Sequence, residues 1–167
     1  MDFLSVLVFI LPCYVANAVP VLLGGGAPLD FGAKWSDGRR VLGDTKTARG
    51  FVSGVAAGTL AGGLLVFAYP LEMGATAQLF SAFALALGAL VGDAVGSFIK
   101  RRMDVGEGKP FLLDQIGFVI VGLVFAYPFA SYFYSAEIVV FIVVLSYLLH
   151  IVTNGLANRL GLKAVPW

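Results

Sequence analysis

Gly92-Asp93-Ala94-Val95-Gly96-Ser97-Phe98-Ile99-Lys100-Arg101-Arg102 decides the reading of this chain. It begins as the end of a long apolar run and finishes as a cluster of cations. A helix through it puts Asp93, Ser97, Lys100 and Arg101 at i, i+4, i+7 and i+8, on one face. The apolar run that leads into it is long enough to cross a bilayer, so Asp93 lies at membrane depth. Ionised groups there are costly and mark function. An acid, a hydroxyl and two cations at the lip of a membrane suit a phosphate or a metal–phosphate group.

Composition agrees with a membrane setting. Of 167 residues, 59% are hydrophobic and 13% charged, about half the charged share of a soluble domain. Mean hydropathy is +0.93. The single cysteine, Cys13, lies in an apolar run, so no disulfide framework exists.

Five apolar runs are long enough to span, at about 20 residues each: Phe3–Leu23, Phe51–Tyr69, Ala77–Ile99, Leu112–Tyr134 and Ile138–Ala157. Ala16-Asn17-Ala18 mimics a signal-peptidase site, but Asp2 is acidic and no Lys or Arg precedes the first run. A membrane helix is therefore expected there rather than a cleaved leader. The expectation is an all-α, polytopic membrane protein, one integral-membrane domain over residues 1–167. Its larger links run from about 24 to 50 and from 100 to 111.

The cations orient it. Lys34, Arg39, Arg40, Lys46 and Arg49 fall in the first link, Lys100, Arg101, Arg102 and Lys109 in the third, and Arg159 and Lys163 in the tail. With five spans, all of them share one side. The positive-inside rule makes that side cytoplasmic, with the N-terminus outside and the tail inside. Asp2, Glu72 and Glu137 fall on the other side, with Tyr69, Tyr132 and Tyr134 as interfacial aromatics.

Two spans are stepped by glycine: Gly50, Gly54, Gly58, Gly62, and Gly88, Gly92, Gly96. Small residues at this spacing let membrane helices approach closely. The span bearing Asp93 is therefore expected to be clamped by neighbours. The same faces serve packing within the chain or in a homo-oligomer equally well.

The first link is dense in phosphate-binding residue types, ending Gly43-Asp44-Thr45-Lys46-Thr47-Ala48-Arg49-Gly50. It is not a P-loop, because Lys46 is misplaced and no strand precedes it. Lys46, Thr47 and Arg49 lead into the second span, whose N-terminal amides and dipole favour an anion. Attraction to anionic lipid explains Arg39 and Arg40 as a solvated basic loop, but not the acids beside them. Asn17, one turn before Pro20, suits either an interhelical hydrogen bond or a polar pocket. His150, Asn154 and Asn158 share a face of the fifth span and read mainly as interhelical partners. Asp114 opens the fourth span. Two carboxylates on adjacent helices among cations suit Mg²⁺ held with substrate phosphates, or a structural ion-pair cluster.

The motifs in order resemble the CDP-archaeol synthases, archaeal relatives of the CDP-diacylglycerol synthases. They are Ala16-Asn17-x-x-Pro20, Gly24-Gly25-Gly26-x-Pro28-Leu29-Asp30, Asp37-Gly38-Arg39-Arg40-x-Leu42-Gly43-Asp44-x-Lys46-Thr47-x-Arg49-Gly50, Gly92-Asp93-x-x-x-Ser97-Phe98-x-Lys100-Arg101-Arg102 and Leu113-Asp114-Gln115. The resemblance covers essentially the whole chain. In the broader cytidylyltransferase family an Asp-Arg pair is followed shortly by a second acid. Here Gln115 replaces the Arg and Gly117 stands at the later acid position, so Asp104 and Glu107 are further candidates for a metal ligand.

The resemblance implies CTP-dependent activation of 2,3-di-O-geranylgeranylglyceryl phosphate, giving a CDP-lipid and pyrophosphate at the cell membrane. It implies Mg²⁺ on Asp93 and Asp114, with Lys100 in the catalytic set. Lys46, Thr47, Arg49, Ser97, Arg101, Asp44 and Asn17 would serve nucleotide and phosphates. Trp35 is a candidate to stack on cytosine, or else an interfacial anchor. CTP, the lipid phosphate and membrane lipid are the expected partners, and nucleic acid is not. The competing class is a small transporter or channel with a polar path through Asp93, Asn17 and His150. It would need polar groups through the full membrane depth, and the outer halves of the spans are nearly all apolar.

Overall fold

In the computed structural model, which describes residues 2–106, 109, 111–131 and 134–161, the chain is a bundle of five helices. They are α1 (Phe3–Leu23), α2 (Ala48–Ala68), α3 (Ala75–Arg102), α4 (Leu112–Ala130) and α5 (Ala136–Arg159). All five are long and apolar enough to cross a membrane, and the chain is a multi-pass membrane protein.

The helix edges differ from the apolar runs for local reasons. α2 starts at Ala48 because Thr47 caps it, its hydroxyl accepting from the Gly50 amide at 3.1 Å. α3 runs on through Lys100, Arg101 and Arg102, since cations are favoured at a helix C-terminus. α4 stops at Ala130, two residues after Pro128, short of Tyr134. Ser135 then caps α5. Tyr132, Glu107 and Lys163 lie outside the described residues.

α3 is the centre of the bundle. Of its most apolar stretch, 56% is buried, against 33% or less for each of the other helices. Glycine makes that possible. On α2 the buried residues are Gly50, Gly54, Gly58 and Gly62. A methyl on Gly54 would stand 2.7 Å from the Ala16 carbonyl of α1 and 2.7 Å from Leu90 of α3. One on Gly62 would stand 2.1 Å from the Ala82 methyl. The glycine face of α2 is thus consumed within the chain, against α1 and α3 together.

On α3, methyls at Gly88 and Gly92 would stand 2.7 and 2.6 Å from α4 backbone atoms of Gly122 and Gly117. At Gly96 the nearest α4 atom is 3.6 Å away. The two helices therefore touch backbone to backbone through Gly92 and relax to ordinary side-chain contact beyond it. The polar residues begin at that change.

α5 lies at the edge. Tyr14 of α1 and Ser146 of α5 share a hydrogen bond of 2.8 Å, and Phe3 meets Phe141 edge-on. These contacts run α5 parallel to α1, so Arg159 falls at the same end as the first and third links.

Candidate functional site

The candidate site is built where the backbone contact between α3 and α4 loosens. Lys46, at the end of the first link, pairs through Nζ with Asp93 Oδ2 of α3. Two turns further along α3, Lys100 donates to Asp114 Oδ2 at 2.5 Å and to the Lys109 carbonyl at 2.7 Å. Ser97 lies between them and donates to the Asp93 carbonyl at 3.0 Å. Asp93 and Lys46 are about a quarter exposed, at 23% and 26%. Asp114 is 31% exposed, while Lys100 is nearly closed off at 9%. The result is two half-buried carboxylates, each with an ammonium against it, on adjacent helices.

The first link is folded back on itself. Leu29 and Ala48 donate their amides to the carbonyls of Lys46 and Ala27, and Trp35 pairs with Arg39 at the far end. Asp30, with a side chain only 2% exposed, is the hub. It takes Arg40 Nη2 at 2.7 Å and the amides of Gly32, Leu42 and Gly43. Burial opposes its ionisation, but Arg40 and the three amides outweigh it. The carboxyl is held well below the usual carboxylate range.

The structure corrects the reading of Arg39 and Arg40 as a solvated basic loop. Arg40 is tied to Asp30 and to Asp44, the latter at 2.6 Å. Arg39 donates to the carbonyls of Arg101 and Arg102 and pairs with Asp104 at 3.4 Å. Both are ordering elements of the link. The start of α2 is also less open to an anion than its sequence suggests. The amides of Ala48, Gly50 and Phe51 go to Ala27 O, Thr47 Oγ1 and Thr47 O. The Thr47 hydroxyl takes the Gly25 amide as well, at 3.1 Å.

The remaining candidates fall into two groups. Arg49 is exposed and makes no ion pair among the described residues, so its charge is available beside Lys46. The half-buried amide of Asn17 makes no hydrogen bond among the described residues. It lies one turn from Cys13, which packs against Gly122 of α4. Arg101 offers its carbonyl to Arg39. Away from the pairs, Asp44 is 75% exposed, and Asp104 is 84% exposed and engaged by Arg39. Trp35 packs edge-on against Phe98, with ring centroids 5.3 Å apart. The His150 ring lies beside Phe118, at 6.2 Å. Among the described residues no three His, Cys, Asp or Glu side chains cluster as a ready metal cage.

Asp30 is the residue that sequence reasoning passed over as a functional candidate. Its signal was present: Asp-x-Gly is an Asx-turn pattern, and the Asp30 carboxylate does accept from the Gly32 amide at 3.1 Å.

Comparison with known proteins bears on what such a site does. A family profile described as "CarS-like: CDP-archaeol synthase" matches residues 2–167. A CDP-archaeol synthase of Thermococcus gammatolerans is 51% identical over 162 residues, covering 95% of this chain and 93% of the relative. One from Pyrococcus furiosus is 49% identical over 160 residues, covering 95% of each. One from Archaeoglobus fulgidus is 44% identical over 171 residues, covering 95% and 94%. A solved structure, of an intramembrane enzyme for archaeal membrane lipids biosynthesis, superposes with a TM-score of 0.82. It shares 38% identity and covers 92% of this chain and 94% of its own.

Proposed function

The chain belongs to the CDP-archaeol synthase family, and from that premise we propose how its own residues perform cytidylyl transfer. The reaction joins 2,3-di-O-geranylgeranylglyceryl phosphate to CTP. A phosphate oxygen of the lipid forms a bond to the α-phosphorus, the bond from that phosphorus to the bridging oxygen breaks, and pyrophosphate leaves. The lipid phosphate is already a nucleophile, so the protein needs no covalent intermediate. Its work is to hold two anions together and to neutralise charge.

The observation that carries this reading is the paired arrangement of Asp93 with Lys46 and Asp114 with Lys100 where the contact between α3 and α4 loosens. Two hard carboxylates, partly open and short of a full protein cage, fit Mg²⁺, which keeps waters and shares substrate phosphates. Asp93 and Asp114 would hold the ion, which supplies Lewis-acid stabilisation of the phosphate charge. Lys46 and Lys100 are placed to turn from the carboxylates to phosphate oxygens. Arg49 adds an exposed cation that makes no ion pair among the described residues. The Thr47 hydroxyl accepts from two amides and keeps its own proton to donate to phosphate. Ser97 would donate to phosphate only after turning from the Asp93 carbonyl, and the Asn17 amide is a further candidate donor. Arg101 borders the site. Asp44 serves it indirectly, by holding Arg40.

The charge distribution supports placing this end of the bundle in the cytoplasm, with the N-terminus outside. The chain then acts as one integral-membrane catalytic domain of the cell membrane. The isoprenoid chains lie between spans, opening sideways to lipid.

Purified protein in detergent, given CTP, Mg²⁺ and the lipid phosphate, is expected to release pyrophosphate and form the CDP-lipid. Lack of product, or solute flux in proteoliposomes without nucleotide, refutes the reading.

A further inference from the structure

The first link touches α3 twice. At one point Lys46 meets Asp93. At the other, about 12 Å along the helix at 1.5 Å per residue, the link meets the helix end through a reciprocal exchange of arginines. Arg39 Nη1, from the link, donates to the carbonyls of Arg101 and Arg102, both at 3.1 Å. Arg102 Nη2, from the helix, donates back to the Arg40 carbonyl at 2.6 Å. Asp37 binds both sides: one oxygen takes the Arg39 amide at 3.0 Å, and the other lies 3.0 Å from Arg102 Nε. The Arg102 guanidinium sits 5.0 Å from the centre of the Phe98 ring, and Trp35 closes on the same ring from its edge.

We propose that Arg39 and Arg102 are positioning residues: together they latch the first link to the end of α3 and so set Lys46 against Asp93. The proposal rests on the reading of Asp93 and Lys46 as part of the transferase site. The mechanical path is continuous. The latch fixes residues 39 and 40. Arg40 is locked to Asp30, and Asp30 also holds the amides of Leu42 and Gly43. Leu29, next to Asp30, holds the Lys46 carbonyl at 2.7 Å. Without the latch the link would be anchored only where it leaves α1 and enters α2, and its middle would have no fixed height along α3.

The alternative for two conspicuous arginines at a phosphate site is direct phosphate binding. Their donors argue against it. Arg39 Nη1 is forked onto two carbonyls and Arg102 Nη2 is on a third, all backbone groups. The carbonyls at the end of α3 carry the negative end of the helix dipole, and guanidinium groups satisfy them there as a C-terminal cap. The cations placed to take substrate are Lys46 and Lys100, on leaving their carboxylates, and the exposed Arg49.

The test uses the full chain in nanodiscs. Spin labels at Ser36→Cys, on the exposed link, and Val144→Cys, on the exposed face of α5, report the position of the link. Cys13 is fully buried and stays unlabelled. Arg39→Gln and Arg102→Gln are expected to broaden the 36–144 distance distribution. They should also lower kcat/KM for CTP by at least about tenfold, with kcat falling as well as KM rising, because misplacement by about 1 Å can cost a hundredfold. Arg39→Lys and Arg102→Lys keep the charge without the fork, and should recover only part of both. Arg159→Gln, at the same end of the bundle, should change neither. Full recovery by lysine, or lost activity with an unmoved distance distribution, overturns the latch. If the wild-type protein makes no CDP-lipid, the reading of the reaction fails. The distance measurement still judges the latch, and a distribution unchanged by the glutamine variants refutes it.

Discussion

The two lysine–carboxylate pairs look alike and are built differently. Lys100 and Asp114 both stand on helices that are locked backbone to backbone at Gly88 and Gly92. Their placement follows from packing, which in a membrane is set by close approach and dispersion. Lys46 and Asp93 join a helix to a link with almost no regular structure. Their placement depends on polar groups: a buried Asp30 and a set of arginines. One half of the site is held by shape and the other by charge. The difference teaches that the halves should fail in different ways when disturbed.

Removal of a carboxylate tests the site before it tests either half. Asp93→Asn and Asp114→Asn are expected to lower kcat/KM by at least about a hundredfold, the scale for losing one preorganised electrostatic group. Pyrophosphate release at saturating CTP checks this, and the folded yield should be near that of the wild type. If the pairs are merely structural ion bridges, both variants will keep normal turnover and lose melting temperature instead.

The shape-held half should break through glycine. A side chain at Gly92 meets the Gly117 carbonyl at 2.6 Å and Phe118 Cα at 2.9 Å. Both are backbone atoms, so the helices themselves must move. Gly92→Val is expected to cost about 1–3 kcal/mol, the usual range for overpacking, seen as a lower melting temperature in detergent. Activity should fall with it, since Asp114 moves away from Lys100.

The charge-held half should break through acid. The depressed pKa of Asp30 means that its ionised form is favoured by the fold. That stabilisation is fully present above the unfolded value of about 3.9, and is lost as pH falls below it toward the lower folded value. Asp30→Asn is expected to cost about 1–3 kcal/mol, as for a charged hydrogen bond. The melting-temperature gap to the wild type should stay constant between pH 5 and 8 and narrow below about pH 4. A gap that stays flat below pH 4, or widens as the pH falls, would place the Asp30 carboxyl in the ordinary range or above.

The same contrast explains what could be read before the structure. Five spans and the central, clamped α3 were legible, because apolar length and glycine spacing are local patterns that packing obeys. The candidate site residues on α3 could be read as one face, since Asp93 and Lys100 are seven apart on one helix. The Lys100–Asp114 pair was legible as the ion-pair alternative for two acids among cations, but the partner of Asp93 was not. Lys46 is 47 residues from Asp93, and no periodicity connects a link to a helix. Arg39 and Arg40 looked solvated because nothing in their neighbourhood announces a buried acid ten residues earlier or open carbonyls at a distant helix end. The uniform stripe Gly88, Gly92, Gly96 also concealed a change of geometry along its length.

That change gives the mildest and most local test of the comparison. At Gly88 and Gly92 a methyl has no room, whereas at Gly96 it would lie 3.6 Å from the Leu113 carbonyl, in ordinary contact. If the backbone contact between α3 and α4 loosens after Gly92, Gly96→Ala fills a surface that is already loose. Alanine is better than glycine in a helix by up to about 1 kcal/mol, so the melting temperature should stay level or rise slightly. Turnover should be unchanged, because the Ser97 hydroxyl remains turned to the Asp93 carbonyl. A loss as large as that of Gly92→Val would mean that the helices stay in backbone contact to the end of the stripe. There would then be no room between them for a phosphate, and the site would have to open elsewhere.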